Sequence, residues 1–421
     1  MLRCASICHW LASCILAVSS KRLPGADRMH DKYHVRPFHI DLSRGVPRML
    51  DLVQNTHLPK EPEYPGLGDS AGIDLDVLKG MREQWLTTFD WNKEQESLNE
   101  FKHYAAVIEG LTIHFIHETS NEPGAIPLIL NHGWPGSFLE FVPLIEDLKS
   151  HGKTSTGKDV SFHVVIPSLP GFAFSSAPPV NWTVHDTARV YNTLMTEVLG
   201  YETFATFGTD WGGAPSYSLY NNFNKTTRAA HFAFIPFLPL TSEQLAVKNI
   251  TLDPLETFEQ AGLEAWYGTG SAYLEEQTTK PNTIGLALYD NPVGQLAWIG
   301  EKFINWSDPR QGTAPSVVTH NEILRSVSLY YLTKSFVSSV FIYFQNAATG
   351  FSADYTKAKT DAPLLFSAFK YNVAFWPPEM VARVGNLVYY KNHDFGGHFP
   401  GVDNPPALLA DLREIGTHWS D

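Results

Sequence analysis

The chain predicts an α/β fold: a largely parallel sheet flanked by helices and interrupted late by a mostly helical insertion. Three observations predict it. Short apolar runs, Pro127-Leu-Ile-Leu-Asn131 and Ser161-Phe-His-Val-Val-Ile-Pro167, read as strands buried on both faces. They alternate with helical stretches over 136–148 and 182–199. From 237 to about 350 the alternation stops, and an aromatic-rich, helical stretch follows. Strand signals then resume at Ala362-Pro-Leu-Leu-Phe-Ser-Ala-Phe369 and Gly385-Asn-Leu-Val-Tyr-Tyr390, before a final helix over 406–415.

Five stretches follow in order. Residues 1–34 open with a mostly apolar run to Val18 and an Ala17-Val18-Ser19 triplet that suits signal cleavage, then a polar lead. His9 and Trp10 interrupt the run. A signal peptide, a weak membrane anchor and a non-native start stay open, in that order; secretion and endomembrane association are the matching locations. Residues 35–95 form a lead-in that wraps the core. It has an extended start, a helix through Pro47-Arg-Met-Leu-Asp-Leu-Val-Gln54, a Pro/Gly-rich connector and a periodic helix over 75–89. Residues 96–236 are the first part of the α/β core, beginning with a hairpin around Glu109-Gly110. Residues 237–350 are the helical lid, with one long helical run over 322–345, and residues 351–421 return to the core.

Composition narrows the function. The net charge of −13 argues against nucleic acid and anionic membrane surfaces. All three cysteines, Cys4, Cys8 and Cys14, lie in the first fourteen residues, so the rest of the chain makes no internal disulfide and no cysteine metal site. Phosphate-binding, dinucleotide and zinc-helix motifs are missing, and no cofactor or metal is expected. Sequons at Asn181, Asn224, Asn249 and Asn305 permit secretion without showing it.

The chemistry centres on Phe204-Ala-Thr-Phe-Gly-Thr-Asp210-Trp-Gly-Gly213. A strand-forming run ends in a Gly-x-Asp-x-Gly turn that opens a helix. This is the pattern of the nucleophile elbow of α/β-hydrolases, with Asp210 in the nucleophile's place. In isolation, Asp210 would more simply be a helix cap. Upstream, Asn131-His-Gly-Trp-Pro-Gly-Ser137 follows a buried strand, where such folds carry the first oxyanion amide. The backbone N–H groups of Trp134 and Trp211 are therefore the expected oxyanion hole. Downstream, Phe395-Gly-Gly-His398 follows the last strand and supplies a base in the order nucleophile, acid, histidine, with His393 as its structural neighbour. The acid that orients His398 is read as Glu379, in Phe375-Trp-Pro-Pro-Glu379. Asp394 is the second choice, and Asp361 and Asp403 compete.

Taken together, these residues resemble the epoxide hydrolases of the microsomal type within the α/β-hydrolase superfamily. The resemblance runs from about residue 35 to the end. It includes Arg36-Pro-Phe-His-Ile, the His-Gly-Trp-Pro turn, Ser168-Leu-Pro-Gly-Phe-Ala-Phe-Ser175, the Asp-Trp-Gly elbow, Asp290-Asn-Pro-Val-Gly-Gln-Leu-Ala-Trp-Ile-Gly-Glu-Lys-Phe303 and the Gly-Gly-His-Phe ending. It implies an α/β-hydrolase fold with an inserted lid, and two lid tyrosines, Tyr273 and Tyr343, that donate to an epoxide oxygen. It further implies an Asp210 ester hydrolysed by His398-activated water to a vicinal diol, from a small apolar epoxide and without a cofactor. Two departures stand out. Trp-Pro-Pro replaces the family's Phe-Pro-Lys before the acid, and the stretch from Glu379 to His398 is short. An epoxide-opening cyclase of natural-product assembly, a haloalkane dehalogenase and a non-catalytic binder remain as rival readings. Roles in detoxification or secondary metabolism, weak membrane association through the N-terminus and a homodimer stay open.

Overall fold

Two of the non-glycine residues with left-handed backbone follow strands of the main sheet: Glu109, at φ 52° in the first hairpin, and Asp210, at φ 47°. The sheet that holds both is described from a computed structural model, which covers residues 32–420. The expected leader at 1–20, with its cysteines, lies outside these residues. Among the described residues, no helix is long and apolar enough to cross a membrane.

The nine strands of the main sheet are β1 (Arg36–Phe38), β2 (His103–Ile108), β3 (Leu111–Glu118), β4 (Ile126–Asn131), β5 (Phe162–Pro167), β6 (Phe204–Gly208), β7 (Thr227–Phe232), β8 (Pro363–Tyr371) and β9 (Asn386–Gly397). Their spatial order is β1-β2-β3-β5-β4-β6-β7-β8-β9. The first three are antiparallel, β3 pairs antiparallel with β5, and all pairings from β5 to β9 are parallel. Strands β4 and β6 are central and almost wholly buried, so they read as continuous apolar runs. Asn131 ends β4 beside Gly208 at the end of β6, which brings the His-Gly-Trp-Pro turn against the elbow. The helices include α1 (Val46–Asn55), α2 (Leu75–Thr87), α3 (Trp91–Leu98) and α4 (Val184–Thr193). Helix α5 (Asp210–Asn222) follows the elbow.

Several elements differ from the sequence reading. The stretch expected as one helix over 136–148 is a 3-10 turn, Phe138–Leu144, with Pro143 inside it, followed by a short helix, Ile145–Lys149. The last strand runs to Gly397 instead of stopping near 390 and delivers the chain to His398. The run over 322–345 is two helices, α9 (His320–Thr333) and α10 (Phe336–Gln345), parted by Lys334 at φ 58°. Between β7 and β8 lie also α6 (Ala272–Thr279), α7 (Pro281–Leu288) and α8 (Pro292–Asn305). The N-terminal helices bind this group: Trp85 Nε1 of α2 donates to Ser328 Oγ of α9 at 3.1 Å, and Glu94 of α3 pairs with Arg325 of α9 at 3.4 Å.

Several core imidazoles are buried neutral. His103 and His114 stack and share a 2.9 Å Nδ1···Nε2 contact, and His114 Nδ1 meets Ser168 Oγ at 2.8 Å. Burial lowers His103 and His114, and lowers His117, His132 and His231 to about 4. In the unfolded chain these rings protonate near 6.5. Their contribution is therefore fully present above about pH 6.5 and is lost as pH falls through 6.5 toward about 4. His231→Gln is expected to flatten the fall of unfolding free energy between pH 6 and 4 by up to about 1.4 kcal/mol per pH unit, measured by chemical denaturation. An unchanged slope would refute this.

Candidate active site

The elbow is built from steric exclusion. Asp210 is the first residue of α5 and holds a left-handed backbone, which costs on the order of 1 kcal/mol for a residue with a side chain. A Cβ on Gly212 would run into the Asn131 carbonyl, and one on Gly208 would lie 2.6 Å from the Gly212 carbonyl oxygen. The turn therefore tolerates only hydrogen at both places. Beneath it, Asn131 Nδ2 donates to Ser216 Oγ at 2.8 Å, and Ser216 Oγ donates to the Phe207 carbonyl at 3.1 Å, tying β4, β6 and α5 together. Gly212→Ala is expected to destabilise the fold by about 3 kcal/mol or more, seen as a lower denaturation midpoint. A wild-type midpoint would contradict this account of the elbow.

Asp210 is not the helix cap. Thr209 occupies that position, and the Asp210 carboxylate turns across to the neighbouring strand end. Its Oδ1 accepts the Trp134 backbone N–H at 2.7 Å. Its Oδ2 stands 3.4 Å from His398 Nε2. As the second residue of α5, Trp211 has an N–H without an intrahelical acceptor. His398 is buried at the end of β9, with its backbone N–H held by the Trp306 carbonyl at 2.7 Å and its ring 5.0 Å from the Trp306 ring.

Over this floor hang the two lid tyrosines. Tyr273 on α6 stacks on Trp134 with ring centres 5.3 Å apart. Tyr343 on α10 lies edge-on to Trp211 at 4.8 Å and to Trp134 at 5.7 Å. The two tyrosine rings are 6.0 Å apart at 86°. Both are buried, and burial, with the Asp210 carboxylate also contributing, pushes both phenols well above the usual tyrosine range. They stay protonated, each with a hydroxyl proton available to give. The Tyr343 hydroxyl, His398 Nε2 and Trp134 Nε1 are all buried without a hydrogen bond inside the protein. Buried polar atoms rarely lack partners, and of these three His398 Nε2 stands 3.4 Å from the Asp210 carboxylate. Lys302, from α8, lies 5.1 Å over the Tyr273 ring and pairs with Glu301.

The acid is where geometry and sequence reading part. Glu379 is exposed in the first turn of the helix Pro378–Val384 and does not reach His398. Asp394 and Asp361 are exposed as well. Asp403 is buried but spends its oxygens on the Asp308 N–H and the Ser316 hydroxyl. Asp210 itself is the sole carboxylate within 4.0 Å of a His398 ring nitrogen among the described residues. The ring's other nitrogen, Nδ1, faces Asn372 Oδ1 at 2.8 Å. Asn372 ends β8's turn, and its Nδ2 donates to the Ala233 carbonyl at 3.2 Å. The short spacing from Glu379 to His398 is a signal for this: Asn372 stands seven residues further upstream. His393, the structural neighbour, is held by Asp411 at 2.6 Å, away from Asp210. Among the described residues, no group of acidic, histidine or cysteine side chains is arranged to hold a metal.

Comparison with known proteins places the chain. A family model described as the epoxide hydrolase N terminus matches residues 35–141, and one for the alpha/beta hydrolase fold matches 126–270. Epoxide hydrolase 1 of Sus scrofa is 32% identical over 408 residues, covering 90% of this chain and 88% of that protein. The solved epoxide hydrolase of Aspergillus niger superimposes with a TM-score of 0.77 at 31% identity, covering 91% of this chain and 96% of that one. The juvenile hormone epoxide hydrolase of Bombyx mori does so with a TM-score of 0.82 at 26% identity, covering 93% and 97%. The wrapping N-terminal segment, the α/β-hydrolase sheet and the likeness to these relatives over nearly the whole chain lead to one assignment: the chain belongs to the epoxide hydrolases, enzymes of the α/β-hydrolase fold.

Proposed function

We propose that the protein opens an apolar epoxide to a vicinal diol through an ester on Asp210. The observation that carries the reading is the facing of a buried carboxylate by two buried phenols across one aromatic-walled site. An epoxide needs a nucleophile behind one ring carbon and acid in front of its oxygen, because its leaving group stays attached. Asp210 Oδ2 attacks a ring carbon while Tyr273 and Tyr343 donate to the developing alkoxide. The carbon–oxygen bond of the ring breaks, and the oxygen takes a proton from the tyrosine pair, which the proton released in ester hydrolysis later replaces. A carboxylate nucleophile leaves an ester, whose carbonyl water can attack; a hydroxyl nucleophile would leave an inert ether. Water, deprotonated at His398 Nε2, then attacks the Asp210 Cγ. The Trp134 N–H already meets Asp210 Oδ1 at 2.7 Å, and this amide, with that of Trp211, supports the tetrahedral oxyanion.

The residues around the site, Trp134, Trp211, Trp306, Phe234 and Phe351, support an apolar and bulky substrate. The test is incubation with a panel running from styrene oxide to larger aryl and alkyl epoxides, with diol measured by chromatography and the Asp210 ester by mass. Diol from at least one epoxide is expected. Halide release from chloroalkanes with no diol from any epoxide would replace this reading with a dehalogenase. Cyclic ether in place of diol would replace it with a cyclase. Tyr273→Phe and Tyr343→Phe are each expected to lower diol formation by about 10- to 1000-fold with the fold intact. Near-wild-type rates in both would remove the tyrosines from the mechanism.

A further inference from the structure

Resting on the ester mechanism above, we infer that Asn372 is the positioning residue for His398 and that it makes ester hydrolysis the slow half of the cycle. Two hydrogen bonds define its role. Its Nδ2 is committed to the Ala233 carbonyl at 3.2 Å, so its Oδ1 is the atom turned to His398 Nδ1 at 2.8 Å. An oxygen there requires a proton on Nδ1 and leaves the Nε2 lone pair on the Asp210 side. The amide thus sets the tautomer that a base needs. A reversed amide would set the wrong one.

The amide does not supply charge. In ester hydrolysis the water oxygen bonds to the Asp210 Cγ and its proton passes to His398 Nε2, giving an imidazolium. The bond from Cγ to the substrate oxygen then breaks. That oxygen takes the proton back from Nε2 and the diol leaves, while the second water proton departs from Asp210, replacing the one the tyrosine pair gave up in ring opening, and the Asp210 carboxylate is restored. The imidazolium exists only in this second half. At that stage Asp210 is a neutral ester, so the ring has lost the carboxylate 3.4 Å away. Its other face sees the neutral Asn372 amide. The ring is walled by Trp306 at 5.0 Å, Phe399 at 5.0 Å and Phe234 at 5.8 Å, and is itself buried. A cation formed in such surroundings without a counter-charge is poorly stabilised. The ring-opening half needs no imidazolium and proceeds without this handicap. The ester is therefore the species that fills in steady state.

The experiment uses an epoxide found to turn over. Intact mass of wild-type enzyme, quenched in steady state at saturating epoxide, is expected to show most of the protein carrying the whole mass of the epoxide. Asn372→Asp supplies the charge while keeping the acceptor. It is expected to raise kcat at least about 10-fold and KM in proportion, leaving kcat/KM, which reports ring opening, unchanged. Its steady-state ester should fall accordingly. Asn372→Ala should lower kcat and increase ester occupancy. Diol formation with mostly free wild-type enzyme in steady state would overturn the inference and leave the proposed reaction standing. So would an Asn372→Asp effect confined to kcat/KM. If no epoxide yields either ester or diol, the proposed reaction falls, and the inference with it.

Discussion

Asp210→Ala is expected to abolish diol formation, by on the order of 10⁵-fold in kcat, with no protein adduct from any epoxide. The side chain is the proposed nucleophile and the acceptor of the Trp134 amide, and Glu140, buried nearby, is pushed well above the usual carboxylate range by burial and by Asp210 itself. The fold should hold, because Asp210 contributes no cap to its own helix and alanine relieves part of the carboxylate's burial. Circular dichroism and the denaturation midpoint check this. A variant that folds, yet forms diol at even a hundredth of the wild-type rate, would move the nucleophile elsewhere. Asp210→Asn is the narrower test, since an amide keeps the shape and loses the nucleophile.

His398→Gln separates the two halves of the reaction. Ring opening does not use the imidazole, so the variant is expected to react once and stop. Its mass rises by that of the intact epoxide, because nothing leaves on ring opening, and the adduct maps to the peptide holding Asp210. Multiple-turnover diol formation falls by on the order of 10⁴-fold. Peptide mapping decides the assignment. An adduct on another residue, or continued turnover, would show that His398 is not the base for ester hydrolysis.

Much of the fold was legible because burial on both faces writes strands as unbroken apolar runs: β4, β5 and β6 lie within a residue or so of where those runs place them. The His-Gly-Trp-Pro turn, the elbow and His398 converge at the carboxyl edge of β4, β6 and β9 because their motifs sit at the ends of strands. Helical detail was less legible. A single residue, Lys334, in left-handed backbone splits a continuous helical pattern, and no periodicity records that. Pro143 likewise turns an expected α-helix into a 3-10 turn. The partner of His398 escaped for a chemical reason. A charged partner is recognisable by residue type, whereas the geometry at His398 Nδ1 requires only an acceptor, and the Asn372 amide is one.

The break at Lys334 gives the lid a division of labour. Helix α9 is fastened on its outer side by Trp85 and Glu94, and it reaches inward to the His-Gly-Trp-Pro turn through the Tyr330 hydroxyl, which donates to the Gly136 carbonyl at 2.8 Å. Helix α10, past the break, carries Tyr343, and just after its end Asn346 Oδ1 accepts the Val184 N–H of the core at 2.8 Å. The two helices therefore answer to different constraints. One is held by the N-terminal segment; the other is held from the core side, at Gly171, Trp182 and Val184. Variation in what the enzyme accepts can accumulate on α10, at positions beside Tyr343, while the braced helix and the residues that grip it stay as they are. For anyone reshaping this pocket, the α10 positions beside Tyr343 are the ones to vary, with Tyr343 itself and the buried Phe336, Ser339 and Val340 kept.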